Sequence, residues 1–246
     1  VKGFFFVFYP LFLNIRDLPC LVVGGGRVGL RKVSGLLEAE ARVTVVDPTP
    51  LEALQELGRG KKLTLVERTF RMEDLEGMRL VFAATHRKAV NGQVAEGART
   101  RNIFCNVADD PQGSDFFLPA LIRRGDLQLA ISTGGRSPAF ARKLRMDLEA
   151  SLDRAYLPFL DLMGRLRAML LERSHDPEGH KRIFRALVEG PLLEQIGKGD
   201  SEAVIQTLIP WVGTCGVRDL VLSVMQAGAV RSTPEEPGFS REKEDA

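Results

Sequence analysis

The sequence predicts an α/β protein: a doubly wound parallel sheet, then a small α+β segment and a carboxyl-terminal helical domain. Three observations predict it. Short, continuously apolar runs alternate with helical periodicity through the first 107 residues, as in a parallel sheet buried on both faces. A glycine turn, Gly24-x-Gly26-x-x-Gly29, sits between the first such run and the first helix. After Pro111 the alternation stops and, from residue 151, the pattern is helical throughout.

Cys20–Val23 reads as a buried strand, Leu30–Glu40 as a helix with Leu36 and Leu37 inward, and Arg42–Val46 as a second strand ending at Asp47. Strand, glycine turn, helix and strand together make a βαβ unit. A helix around Leu51–Leu57, a strand at Leu63–Glu67 and a helical turn near Met72–Met78 follow. Then come an apolar strand at Leu80–Ala84, a helix through Ala89–Arg99 and a strand at Ile103–Val107. Phe116–Leu118 and Leu127–Ile131 read as two strands separated by an Arg123–Asp126 turn. They lead through Ser132-Thr133-Gly134-Gly135-Arg136-Ser137 into a helix from Pro138 to Leu152. Helical patterning then runs to Gly228, with breaks expected near Pro158, His175–Gly179, Gly190-Pro191 and Pro210. The domains expected are 1–113, 114–150 and 151–229, with 230–246 a disordered tail rich in charge, Pro and Gly.

Composition excludes several classes. Of the 246 residues 44% are hydrophobic and 27% charged, which suits a globular chain with a sizeable core rather than global disorder or a polytopic membrane protein. A formal charge of +2 and the lack of nucleic-acid motifs argue against a nucleic-acid partner. Three widely spaced cysteines, Cys20, Cys105 and Cys215, form neither a disulfide framework nor a CxxC pair, and the cytoplasm is the expected compartment. The apolar stretch Gly3–Leu13 holds five of the 14 Phe, four of them within the first eight residues, yet it is too short to span a bilayer, contains Pro10 and lacks a small-residue cleavage site. It is expected to be an edge strand or ordered arm rather than a signal peptide or membrane anchor. His86, His175 and His180 show no metal-ligand spacing and read as loop or surface residues, so no protein-held metal is expected.

The glycine turn points to a dinucleotide. Gly24 permits the tight turn, Gly26 lets the backbone approach a pyrophosphate and Gly29 allows close helix–strand packing, while the helix amino terminus with Arg27 and Val28 faces the anion. Gly25 belongs to the same cradle. Asp47, 18 residues beyond Gly29, is placed to accept hydrogen bonds from ribose hydroxyls. With Pro48 and Thr49 beside it and no Arg, it favours NAD over NADP. Ala84 and Thr85, after the fourth strand, leave room for the nicotinamide half. The competing reading of this half is a degenerate domain that binds nothing, or an NAD-sensing regulatory module.

Taken together, Tyr9-Pro10-Leu11-Phe12-Leu13, Leu21-Val22-Val23-Gly24-Gly25-Gly26, Arg31-Lys32, Phe82-Ala83-Ala84-Thr85, Asn106-Val107-Ala108-Asp109-Asp110-Pro111 and Ser132 to Pro138 form a specific set. The chain resembles the precorrin-2 dehydrogenase/sirohydrochlorin ferrochelatase module of siroheme synthases, over residues 9–150. Nothing in these residues supplies a methyltransferase, so the resemblance is to the stand-alone form. The resemblance implies oxidation of the tetrapyrrole precorrin-2 with hydride passing to NAD, and in bifunctional members insertion of ferrous iron, a substrate, to give siroheme. It also implies a homodimer joined through the segment after the nucleotide-binding domain.

Asp109 matches the catalytic aspartate of that family, with Asn106 and Pro111 setting the register, and Asn106 is carried over to the cofactor side. A carboxylate beside the macrocycle can act as a general base for dehydrogenation and for the pyrrole N–H protons lost on metal insertion. On the residues alone, Asp109 could equally cap a turn with Pro111. Ser132, Thr133 and Gly134 could hold a substrate carboxylate or simply cap the following helix. Among the basic residues after 120, Arg136 and Arg142 are the candidates for substrate carboxylates, the others forming a solvated helix face. A dehydrogenase without chelatase activity is the nearest alternative.

Overall fold

A computed structural model describes residues 8–231, with side chains through 227; the expected tail at 232–246 and the first seven residues, including Phe4, Phe5 and Phe6, lie outside the described residues. The chain divides into two compact units that meet in sequence between Leu118 and Pro119.

The first unit holds five parallel strands, β1 (Pro19–Val23), β2 (Arg42–Val46), β3 (Thr64–Val66), β4 (Leu80–Ala83) and β5 (Phe104–Val107), in the order β3-β2-β1-β4-β5. The order reverses between β1 and β4, where the chain turns from building leftward to building rightward. Helices α1 (Arg27–Glu38), α2 (Glu52–Arg59) and α3 (Lys88–Thr100), with a 3-10 turn at Met72–Leu75, supply the crossovers. Alternation in the strands divides the core cleanly. Cys20, Val22, Val43, Val45, Leu80 and Phe82 pack with Val33 and Leu36 of α1 and Leu54 of α2 on one face. On the other, Leu21, Val23, Val46, Val81, Ala83 and Cys105 pack with Leu75 and with Val94 and Ala98 of α3. The continuous apolar runs read from the sequence therefore reflect burial on both faces.

Of the two expectations for the amino-terminal stretch, the described residues 8–13 follow the arm rather than the edge strand, with the Phe8 ring 4.6 Å from that of Phe117. Residues 8–13 form no strand, and Tyr9 and Phe12 are largely exposed, while Ile15 joins the α1-side core. Phe116–Leu118 is likewise not a strand. The Phe116 ring leaves the chain to meet Phe82 edge-on at 5.4 Å, and its carbonyl accepts a 2.9 Å bond from Asn106 Nδ2. The hairpin instead comprises β6 (Ala120–Arg124) and β7 (Leu127–Ile131), antiparallel, with Arg124 opposite Leu127. Its loop is Gly125-Asp126, with Gly125 at φ 54°, the positive first position that a tight II′ turn requires.

In the second unit, α4 (Pro138–Ser151) follows the hairpin, and Ile122 and Ala141 are its buried apolar residues. Helices α5 (Tyr156–Arg173), α6 (Pro177–Glu189), α7 (Leu192–Gly197), α8 (Ser201–Val212) and α9 (Val217–Arg231) surround Phe159, Leu162, Leu166, Leu170, Leu208 and Val221. Helix breaks fall near Pro158 and Pro210, between Ser151 and Tyr156 and between Val212 and Val217. Pro158 lies in the first turn of α5, where its missing N–H would have had no intrahelical acceptor. Pro210 lies two residues before Val212, the last residue of α8, and Gly213 (φ 77°) follows as its cap. No helix of the described residues is long and apolar enough to cross a membrane.

Candidate active site

The carboxyl edge of the parallel sheet, at its reversal point, is where an open α/β sheet binds ligands. Gly24 ends β1 at φ 114°, and a Cβ on it would lie 2.5 Å from the Ala84 carbonyl oxygen. A Cβ on Gly29 would lie 1.9 Å from the Gly24 carbonyl oxygen, so α1 touches the turn backbone directly. Gly26 differs: a Cβ there would meet nothing within 4 Å. It is the N-cap of α1, no side chain caps that end, and the first turn carries no acidic residue. Unpartnered N–H groups of the first turn therefore face open space beside Gly26, which suits a phosphate anion.

Asp47 follows β2 and closes this turn. Its Oδ2 accepts the Gly25 N–H at 2.7 Å and its Oδ1 the Thr49 N–H at 2.7 Å, while Pro48 and Thr49 are exposed. Each carboxylate oxygen keeps a lone pair, so Asp47 both builds the glycine turn and can still accept from a ribose hydroxyl. A pyrophosphate at α1 and a ribose at Asp47 are what a dinucleotide presents, and the residues fit that group. Arg27 and Val28 are exposed on the first turn.

Beyond β4, Thr85 is held by a residue that reading the sequence missed. Asn91, 6% exposed on α3, accepts the Thr85 N–H at 3.1 Å and its hydroxyl at 2.7 Å, and returns an Nδ2 bond to the Thr85 carbonyl at 2.9 Å. Its signal was an amide at a buried helix position, three residues before Val94 and seven before Ala98. Ala84 is partly buried beside Gly24.

Asn106 and Asp109 complete the edge. Asn106, 8% exposed, ties β5 to Phe116 through its amide nitrogen, and its oxygen takes no hydrogen bond among the described residues. Asp110, not Asp109, caps the following turn: Asp110 Oδ1 accepts the N–H groups of Gln112 and Gly113, each at 3.1 Å. Ser114 Oγ bonds Val107 and Asp110 from across the loop. Asp109 stands at φ 61°, a left-handed conformation that Asp tolerates better than most residues. Its carboxylate is exposed and takes no hydrogen bond among the described residues. A turn held by its neighbours thus presents an uncommitted carboxylate at the ligand edge.

The remaining candidates lie on the second unit. Thr133 Oγ1 accepts from the Ser137 N–H and donates to the Ser137 carbonyl, both at 3.1 Å, while Ser137 Oγ caps α4 by accepting the Phe140 N–H. Exposed Ser132 accepts the Gly134 N–H at 3.2 Å. Arg136 and Arg142 are exposed. Arg124 caps the end of α4 on the Glu149 and Leu152 carbonyls, and Lys143 and Arg145 pair with Asp147 and Glu149. Among the described residues no three His, Cys, Asp or Glu side chains gather as a metal site.

Residues 11–120 match an NAD(P)-binding family model, and residues 124–151 match the siroheme biosynthesis protein central family. The siroheme synthase of Methylococcus capsulatus is 38% identical over 202 residues, 82% of this chain and 43% of that protein. That of Thioalkalivibrio sulfidiphilus is 38% identical over 229 residues, 93% of this chain and 47% of that protein. This chain is a siroheme synthase homologue. It spans about half the length of the curated relatives it matches. Among solved structures, SirC, a precorrin-2 dehydrogenase, superposes with a TM-score of 0.69, covering 89% of the homologue and all of SirC. At 22% identity that likeness is one of fold, and it covers the parallel sheet, the small antiparallel sheet and the helical region. The nucleotide edge of this siroheme synthase homologue lies wholly within the matched NAD(P)-binding segment.

Proposed function

We propose that this chain oxidises precorrin-2 to sirohydrochlorin with NAD, as a step of siroheme biosynthesis. The observation that carries the reading is Asp109: an exposed carboxylate without a hydrogen-bond partner among the described residues, held in a left-handed turn at the same sheet edge as the uncapped glycine turn. Removing a hydride from a reduced tetrapyrrole must be matched by loss of a proton, and Asp109 accepts that proton. Bound NAD supplies the hydride acceptor. Gly24, Gly25, Gly26 and Gly29 with the first turn of α1 would hold its phosphates, Asp47 would accept from the ribose, and Ala84, Thr85 and Asn106 would border the nicotinamide side. Asp47 with no Arg at Pro48 or Thr49 favours NAD over NADP, whose 2′-phosphate would meet a carboxylate.

Ser132, Thr133 and Gly134 at the start of α4, with Arg136 and Arg142, are assigned to the substrate carboxylates. Insertion of ferrous iron to give siroheme is the second activity proposed, with Asp109 again taking protons, now from pyrrole nitrogens; the macrocycle's own nitrogens are then the metal ligands. A cytoplasmic homodimer joined through 114–150 is supported by the exposed apolar side chains of Leu121, Phe140 and Met146 in one protomer.

Anaerobic incubation of the purified chain with precorrin-2, with and without NAD and ferrous iron, tests the reading. Sirohydrochlorin absorbance that depends on NAD is expected. Turnover without NAD overturns the cofactor assignment, and no turnover in any arm leaves an NAD-sensing module as the better account. Sirohydrochlorin that persists in the presence of iron limits the chain to dehydrogenation.

A further inference from the structure

Lys32 takes no part in the site described above, yet it sits beside it. It lies on α1 next to the buried Val33 and is itself partly buried. Its Nζ is 5.6 Å from the centroid of the Phe82 ring. Phe82 pairs with Val22 on one side and Asn106 on the other, and Phe116 meets it edge-on, so the ammonium overlooks the β4–β5 half of the sheet. The Ala108 N–H donates to the Ala83 carbonyl at 2.8 Å, which sets Asp109 just beyond the end of β4. Among the described residues Lys32 makes no hydrogen bond and no ion pair. Burial and then the neighbouring Arg31 lower its proton affinity, and Asp109, the nearby opposite charge, offsets this only in part. A partly desolvated cation and an uncommitted carboxylate thus share one ligand edge.

We propose that Lys32 binds a carboxylate of the substrate and thereby registers the macrocycle so that its reacting carbon lies against Asp109. The inference rests on the reaction proposed above. A tetrapyrrole fringed with carboxylates brings the anion that Lys32 lacks, and one arm held over Phe82 fixes the ring relative to the neighbouring base. A phosphate of the cofactor is the other anion of the site. It belongs at the first turn of α1, whereas Lys32 lies five residues further on, about 7.5 Å along the helix axis, and directs its ammonium towards Phe82.

Lys32→Met keeps an unbranched apolar stem over Phe82 and removes the charge; Lys32→Arg restores it. Four quantities decide: KM and kcat for precorrin-2 under anaerobic conditions, binding of sirohydrochlorin followed by its fluorescence, and NAD affinity by calorimetry. For Lys32→Met the expected result is a KM raised about tenfold or more, weaker sirohydrochlorin binding to match, a kcat lowered as well because the ring is no longer registered against Asp109, and NAD affinity within about threefold of wild type. Lys32→Arg recovers most of the loss. An unchanged KM overturns the inference, as does a loss confined to NAD affinity, which would make Lys32 a phosphate ligand. A Lys32→Met chain that does not fold assigns the lysine a structural role and also overturns it. Wild-type protein that neither oxidises precorrin-2 nor binds sirohydrochlorin sinks the proposed function itself, whereas normal wild-type behaviour with a normal Lys32→Met variant sinks only this assignment.

Discussion

Two glycines three residues apart should respond to the same substitution in opposite ways. In Gly29→Ala the new methyl lies 1.9 Å from a backbone carbonyl oxygen, where contacts below 3.0 Å are essentially never found. That oxygen cannot rotate aside, so α1 must lift from the turn by more than an ångström, taking Val33 and Leu36 out of register with Val22 and Val45. Overpacking against movable side chains costs about 1–3 kcal/mol, and a backbone obstacle puts this case at about 3 kcal/mol or above. In Gly26→Ala the methyl enters open space, and the backbone at φ −82°, ψ −171° is one that alanine adopts freely. Lower unfolded-state entropy favours the variant and alanine's weakness as an N-cap opposes it, so the net change is within about 0.5 kcal/mol. Yet that methyl occupies the approach of the pyrophosphate, and NAD affinity should fall about tenfold or more. Urea melts followed by circular dichroism and NAD titration by calorimetry separate the two effects. Equal stability losses in both variants, or wild-type NAD binding by Gly26→Ala, would refute the division of labour between packing and binding.

Three further outcomes are expected. Asp109→Asn should keep NAD affinity within about twofold while turnover of precorrin-2 falls about 100-fold or more, because the amide cannot accept the proton; stopped anaerobic assays check this. Asn91→Ala removes three bonds to Thr85 and should cost about 2 kcal/mol in a urea melt, whereas an exposed amide would cost almost nothing. Burial raises the Cys20 thiol to about 11, and burial with the nearby Asp115 raises that of Cys105 to about 12, from 9.0. The folded state therefore retains protons that the unfolded state releases, so this stabilisation is complete below pH 9 and is lost as pH rises towards 11 and 12. The urea midpoint should fall over that range, and less steeply in Cys105→Ala; identical slopes would exclude the thiol as a source.

Much of the nucleotide half was legible before any coordinates. Strands such as Cys20–Val23 and Leu80–Ala83 declare themselves because burial on both faces demands unbroken apolar runs. The spacing of Gly24, Gly26 and Gly29 is legible because at Gly24 and Gly29 a side chain would strike backbone, while Gly26 opens onto free space beside the first turn of α1. Asp47 was legible as a strand-end acid, though its bonds to the Gly25 and Thr49 N–H groups were not. Asp109 and Asp110 were harder, since adjacent aspartates before a proline carry the same local signal. Only the loop closing on Ser114 shows that Asp110 takes the capping bonds and leaves Asp109 uncommitted.

What the sequence determined by itself was therefore whatever depends on neighbours a few residues away: strand character, helix periodicity, the glycine turn and the hairpin's existence. Tertiary structure alone decided which long-range partner each ambiguous residue takes. Phe116 looks like strand and becomes a ring packed on Phe82; Asn91, unremarked in the sequence, becomes the clamp on Thr85; Lys32, read only as part of a motif, stands over Phe82 near Asp109. The physical reason is that backbone propensity and periodicity act within one or two turns of chain. Desolvation and hydrogen-bond pairing act instead between segments that only the folded sheet brings together.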